Sequence, residues 1–122
     1  MSIEEYLIQY FNDTPGFPTL YAEVADNMTA DHYYLVEKTG SSTENLVITS
    51  KIAIQSISMN SLLEAIHMNE EIKLFMKQFV AAPRISRVEL DSDYNYTDPE
   101  RNEYRYQAVF NIHTPKESKN GC

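Results

Sequence analysis

Four carboxylates crowd one short stretch of this chain: Asp91, Asp93, Asp98 and Glu100. Calcium takes its oxygen ligands from such loops. The EF-hand pattern, however, needs a central glycine and a closing glutamate at set positions, and neither fits here. Paired carboxylates for glycoside hydrolysis would also need a sugar cleft, which a core this small does not suggest. The stretch therefore reads as a solvated acidic loop, with a small metal- or ligand-binding domain as an alternative. His32, His67 and His113 are isolated on different expected elements, without HxH, HExxH or Cys/His spacing, and are expected to be strand-edge or surface imidazoles. The glycines Gly16, Gly40 and Gly121 are too few and too far apart for GxxxxGK[ST] or GxGxxG, and no GxSxG occurs. We expect no catalytic, metal or cofactor site, and a protein that is not an enzyme.

What remains is aromatic and polar surface. Tyr94 and Tyr96 lie in the stretch from Asp91 to Glu103, with Arg101 and Arg105 close by. Tyrosine and arginine are the residues most enriched where proteins grip one another. Asp93, Tyr94, Tyr96, Asp98, Arg101 and Arg105 are accordingly the candidate interface. The competing reading folds the tyrosines back over a sheet as a lid.

Composition narrows the partners. The chain has 122 residues, enough for one domain and its core. Ten basic against 18 acidic residues give a formal charge of −8. A sequence-independent grip on DNA or RNA depends on Lys and Arg neutralising phosphates, so nucleic-acid binding is not expected. Short, interrupted apolar runs argue against a membrane span and a signal peptide, and suggest a cytoplasmic protein at synthesis. Cys122 is the single cysteine, so no internal disulfide can form; it reads as an incidental end residue.

The elements that must position these residues follow from periodicity. Ser2 and Glu5 have capping-box spacing, and Ile3, Tyr6, Leu7, Tyr10 and Phe11 form a stripe, predicting a helix over 3–11 that Asn12–Gly16 ends. Short strands are expected at 19–24 and 32–38, with a turn over Thr39–Thr43 and a β-branched strand over 46–57; the three read as a meander. Ser58 or Asn60 is expected to cap a second helix with the stripe Leu62, Leu63, Ile66, Ile72, Phe75, Met76 and Phe79, stopped by Ala81-Ala82-Pro83. Met59, Met68 and Met76 are expected as packing residues. A strand over 85–90 leads to a long loop, then a half-buried strand. There Tyr104, Tyr106, Ala108, Phe110 and Ile112 face one way, and Arg105, Gln107, Val109, Asn111 and His113 the other. The order α-β-β-β-α-β-β predicts one α+β domain over 1–115, with an antiparallel or mixed sheet of four to five strands and both helices on one face. Residues 116–122 are expected as a disordered tail.

Two short motifs carry a resemblance. Val36-Glu37-Lys38-Thr39-Gly40-Ser41 resembles a strand ending in an acidic–basic–Thr–Gly turn. Asp98-Pro99-Glu100-Arg101-Asn102-Glu103-Tyr104-Arg105-Tyr106 resembles a loop written Asp-Pro-Asp-Thr-Gly and followed by Arg-Tyr. Both belong to the tail terminator, or minor capsid (tail completion), proteins of long-tailed bacteriophages, whose element order is also similar. Asn102 stands where that family commonly has Gly, and Asn is the residue that best tolerates a positive φ there. The resemblance implies a homo-oligomeric ring, usually a hexamer, capping the head-proximal end of the tail tube in the virion after assembly in the host cytoplasm. Its partners would be the tail tube protein and the head–tail connector, with DNA sliding unbound through an acidic lumen. Another neck component, such as a head completion protein, is the neighbouring alternative.

Overall fold

The computed structural model describes residues 2–24, 28–101 and 103–116. Ser2 caps helix α1 (Ile3–Asn12) as its spacing predicts: its hydroxyl accepts from the Glu5 amide at 3.1 Å, and the Glu5 carboxylate accepts from the Ser2 amide at 3.2 Å. These bonds to Ser2 hold the Glu5 carboxyl below its ordinary pKa. Leu7 and Phe11 are the buried residues of this helix. Asn12 then does the work of a strand neighbour. Its side chain accepts from the Leu20 amide at 2.9 Å and donates to the Leu20 carbonyl at 3.0 Å, pinning strand β1 (Leu20–Tyr21).

Strand β1 is shorter than expected and pairs in parallel with β2 (His32–Glu44), so the first three strands are not a meander. The expected turn at Thr39–Thr43 is also corrected. Those residues continue β2 through a bulge between Lys38 and Gly40, and the chain reverses at Asn45 and Leu46 before β3 (Val47–Ser58). Both turn residues have positive φ, 51° and 65°, as a tight two-residue hairpin with the sheet's own twist requires. A run of small residues resembles a turn in composition, but the β-branched Thr43 fits a pleated ladder equally well and pairs there with Ile48.

Helix α2 (Leu62–Phe79) is capped by Ser61, whose hydroxyl accepts from the Glu64 amide at 3.0 Å, not by Ser58 or Asn60. Those two instead bind the Glu64 side chain, at 2.6 and 3.0 Å, and hold its carboxyl below its usual pKa. The buried stripe begins at Ala65 and Met68, not at Leu63, which is exposed.

The largest correction concerns the long loop. Strand β4 runs Arg87–Asn95, with a bulge between Leu90 and Ser92, so Asp91, Asp93 and Tyr94 belong to a strand. It pairs with β5 (Tyr104–Pro115). The hairpin continues past the ladder, because the Tyr96 amide donates to the Arg105 carbonyl at 2.8 Å and the Arg105 amide donates to the Thr97 hydroxyl at 3.0 Å. Only the tip beyond Thr97 is a loop. Asn102, for which a positive φ was expected, and residues 117–122 of the tail expected to be disordered over 116–122 lie outside the described residues, whereas Lys116 is placed, its amide donating to the Leu46 carbonyl at 2.7 Å.

The result is an α+β domain with a five-stranded mixed sheet in the order β1-β2-β3-β5-β4. Leu7 and Phe11 of α1, and Ile72, Phe75, Met76 and Phe79 of α2, pack in one core with Tyr34, Ile52, Ile54, Ala108, Phe110 and Ile112 from one sheet face. Phe11 is its centre, with ring contacts to Phe17, Tyr34 and Phe75 at 5.0, 5.3 and 4.7 Å. The buried Tyr34 hydroxyl donates to the Met68 carbonyl at 2.9 Å. Burial raises its pKa, so the tyrosine stays protonated.

Candidate functional site

The opposite sheet face carries no helix among the described residues, and it holds Tyr94, Tyr96 and Arg105, half of the candidate interface. Strand register places Leu35, Gln55, Gln107 and Tyr94 in one row across β2, β3, β5 and β4. Gln55 Nε2 donates to Gln107 Oε1 at 3.0 Å, and Gln107 Nε2 donates to the Tyr94 hydroxyl at 2.5 Å. Arg105 reaches along the sheet, with Nη1 donating to Gln55 Oε1 at 2.6 Å and Nε to Glu103 Oε1 at 2.8 Å. The result is a continuous polar row, Glu103–Arg105–Gln55–Gln107–Tyr94. Tyr96 meets Tyr94 edge-on at 6.0 Å, and both rings are exposed.

This row explains a burial pattern that alternation did not predict. Beneath and beside it Ala53, Ile57 and Val109 are buried, so the middle of β5 is covered on both faces rather than half-buried. Long side chains bonded across strands lie along the sheet and shield it.

The other candidates divide. Asp93 points to the helix side. Its carboxylate accepts from Lys73 Nζ at 2.8 Å and Asn69 Nδ2 at 2.9 Å, tying β4 to α2. The bond from Lys73 holds the Asp93 carboxyl below its ordinary pKa, and the bonds to Asp93 and Glu70 raise that of Lys73. Asp98 shapes the hairpin tip, accepting from the Glu100 amide at 2.9 Å. Arg101 is exposed at the tip, 3.9 Å from Asp98 and 3.6 Å from Glu103. Tyr94, Tyr96, Arg105 and the tip are thus brought together, and Asp93 is set apart.

The four carboxylates do not converge. Asp91 lies 3.5 Å from Lys51 and Asp93 is held by Lys73. Among the described residues no three His, Cys, Asp or Glu side chains are placed to hold a metal. His113 lies in the interior strand β5 rather than at an edge, and it forms the arrangement nearest to catalytic geometry. Nδ1 is 3.0 Å from the Thr49 hydroxyl and Nε2 is 3.0 Å from Glu89. With the proton on Nε2, the ring donates to Glu89 and accepts from Thr49. A hydroxyl nucleophile also needs nearby amides to bind the developing oxyanion. Thr49 and His113 are ladder partners inside a sheet whose amides bond across strands, so the trio reads as a cross-strand pairing.

Sequence reasoning missed Gln55 and Gln107. Glutamines on β-strands carry no chemical signal, and they lie 52 residues apart.

The fold and this face define a small α+β domain with one sheet face sealed by helices and the other presented as a pre-paired polar and aromatic surface. No protein-family model matches the chain, and no curated protein matches it significantly. No helix among the described residues is long and apolar enough to cross a membrane.

Proposed function

We propose that the chain is a structural subunit of a long-tailed bacteriophage, forming a ring that caps the head-proximal end of the tail tube. The ring, hexameric in the family it resembles, ends tube polymerisation and offers a surface to the head–tail connector, while DNA passes through its lumen without specific binding. The protein acts by contact, without a reaction or a cofactor. The observation that carries this reading is the open face: Tyr94 and Tyr96 stand exposed on a hairpin whose tip and the start of β5 carry the Asp98–Tyr106 motif of the resemblance. The Tyr94 ring, held by the row Arg105–Gln55–Gln107–Tyr94, loses little freedom on binding, which favours contact energy over ordering cost, and Tyr96 packs edge-on against it. The other motif supports the reading less, because Val36–Ser41 runs through a bulge inside β2 instead of ending the strand.

Replacing Tyr94, Tyr96 and Arg101 together with Ala tests it. Tail assembly reactions containing the tube protein should then yield overlong tubes that fail to join heads. Tubes of normal length that join heads normally would refute it. A metal-binding role for the acidic stretch has lost its basis, since Asp91 and Asp93 are engaged with Lys51 and Lys73.

A further inference from the structure

A cleft of about 730 Å³ lies between the start of α1 and the end of the sheet where β5 finishes. Tyr6, Ile48 and Pro83 are among its apolar walls, and the Tyr6 hydroxyl donates to the Pro83 carbonyl at 2.7 Å. Among the described residues, the charged side chains on its rim are all basic. Lys38, Arg84 and Lys116 line it, and no Asp or Glu among the described residues does. Three of the chain's ten basic residues thus gather at one cleft of a molecule with net charge −8. Lys38 and Lys116 make no ion pair among the described residues, so their charges are available to an incoming group.

The chain also carries a segment of matching character. The β4–β5 tip presents Tyr96, Asp98, Pro99 and Glu100, an aromatic ring beside two carboxylates. Tyr96 is half exposed. The Glu100 carboxylate makes no ion pair among the described residues; Asp98, whose Oδ1 accepts from the Glu100 amide, has there one ion pair, at 3.9 Å with the exposed Arg101 of the same tip. Tip and cleft lie at opposite ends of one strand: Tyr104 opens β5 beside the tip, and Thr114 lines the cleft. At a rise of about 3.3 Å per residue, those two positions are about 30 Å apart. A molecule cannot fill its own cleft with its own tip.

We infer that the cleft receives the β4–β5 tip of a second copy of this chain, Asp98 and Glu100 meeting Lys38 and Lys116 while Tyr96 enters the apolar part. Two copies of a strongly anionic chain repel at most orientations, and this is a pairing in which charge reverses across the contact. The contact joins unlike patches, so each copy keeps one free tip and one free cleft. Such head-to-tail pairing closes a ring when the rotation allows and otherwise grows a filament. The inference rests on the ring reading above and supplies its subunit contact.

The test is sedimentation velocity on the full chain at low salt, from low micromolar to millimolar concentration, with two charge-reversed variants. The cleft variant is Lys38→Glu with Lys116→Glu, and the tip variant is Asp98→Lys with Glu100→Lys. Each alone should associate at least about tenfold more weakly than wild type. Their equimolar mixture should regain association, because each variant then offers a tip that matches the other's cleft. Variants that associate as tightly as wild type would overturn the contact while leaving a ring built on another surface intact. A mixture no stronger than its components would also overturn it. So would a wild-type chain that stays monomeric throughout while binding decanoate in the cleft by calorimetry, which would make the cleft a site for small amphipathic anions.

Discussion

The two faces of the sheet use the same strands in opposite ways. On the helix side, cross-strand rows end in apolar side chains that meet other apolar side chains, and Phe11, Phe75 and Ile54 leave water altogether or nearly so. On the open side, beside the buried Ala53, Ile57 and Val109, the rows Gln55–Gln107–Tyr94 and Thr49–His113 are satisfied by hydrogen bonds between neighbours on the same face. The first face gains its stability from burial. The second gains mainly a fixed shape, because each hydrogen bond there replaces one to water and nets about 1 kcal/mol. A face that needs no cover, yet holds its side chains in place, is suited to meeting another protein.

Mutations should separate the faces by magnitude. Phe11→Ala should have the largest effect, about 3–5 kcal/mol of lost stability in urea unfolding, because it opens a void among three aromatic rings. A loss below about 1 kcal/mol would mean that the helix side is not the energetic centre. Asp93→Ala comes next, at about 1–3 kcal/mol, since it leaves the buried Asn69 amide without its acceptor.

Asp93 also gives a pH signature. Its folded pKa lies below the unfolded value of about 3.9, so its contribution is present above that value and is lost as pH falls through the folded value. Lys73 has the opposite sign: its contribution holds below about 10.4 and is lost as pH rises through the raised folded value. Unfolding series across pH should therefore show a shallower acid limb in Asp93→Ala than in wild type. Equal acid limbs would show that the ion pair does not link β4 to α2 energetically.

The open face should lose least. The Tyr94, Tyr96, Arg101 triple Ala variant should cost about 1 kcal/mol, chiefly because Gln107 loses its partner hydroxyl, while the exposed Arg101 pairs are screened by solvent. A loss as large as that of Phe11→Ala would make the tyrosines structural lid residues and remove the contact reading.

How much of this was legible in the sequence differs by element. Helix α1 was nearly complete in it, since Ser2, Glu5 and the stripe through Phe11 are local signals that agree. The alternation of β5 was legible too, although covering of its second face was not. The hairpin arm was misread because Asp91, Asp93 and Asn95 are poor strand formers. What keeps Asp93 in a strand is Lys73, which lies 20 residues away on a helix. The reversal at Asn45 and Leu46 was hidden for a local reason. Leucine at positive φ is strained, so no sequence rule points to it. The candidate site was half visible: the tyrosines and arginines announce themselves by type, whereas the glutamines that position them gain meaning only from register.

The central claim is that this chain closes on copies of itself to make a capping ring. Native mass spectrometry of the full chain tests it most directly, across the concentration range used for sedimentation. The account predicts one closed species at a fixed integer multiple of the chain mass, with nothing larger at higher concentration. A single-chain mass throughout, or oligomers that grow without limit, would contradict it.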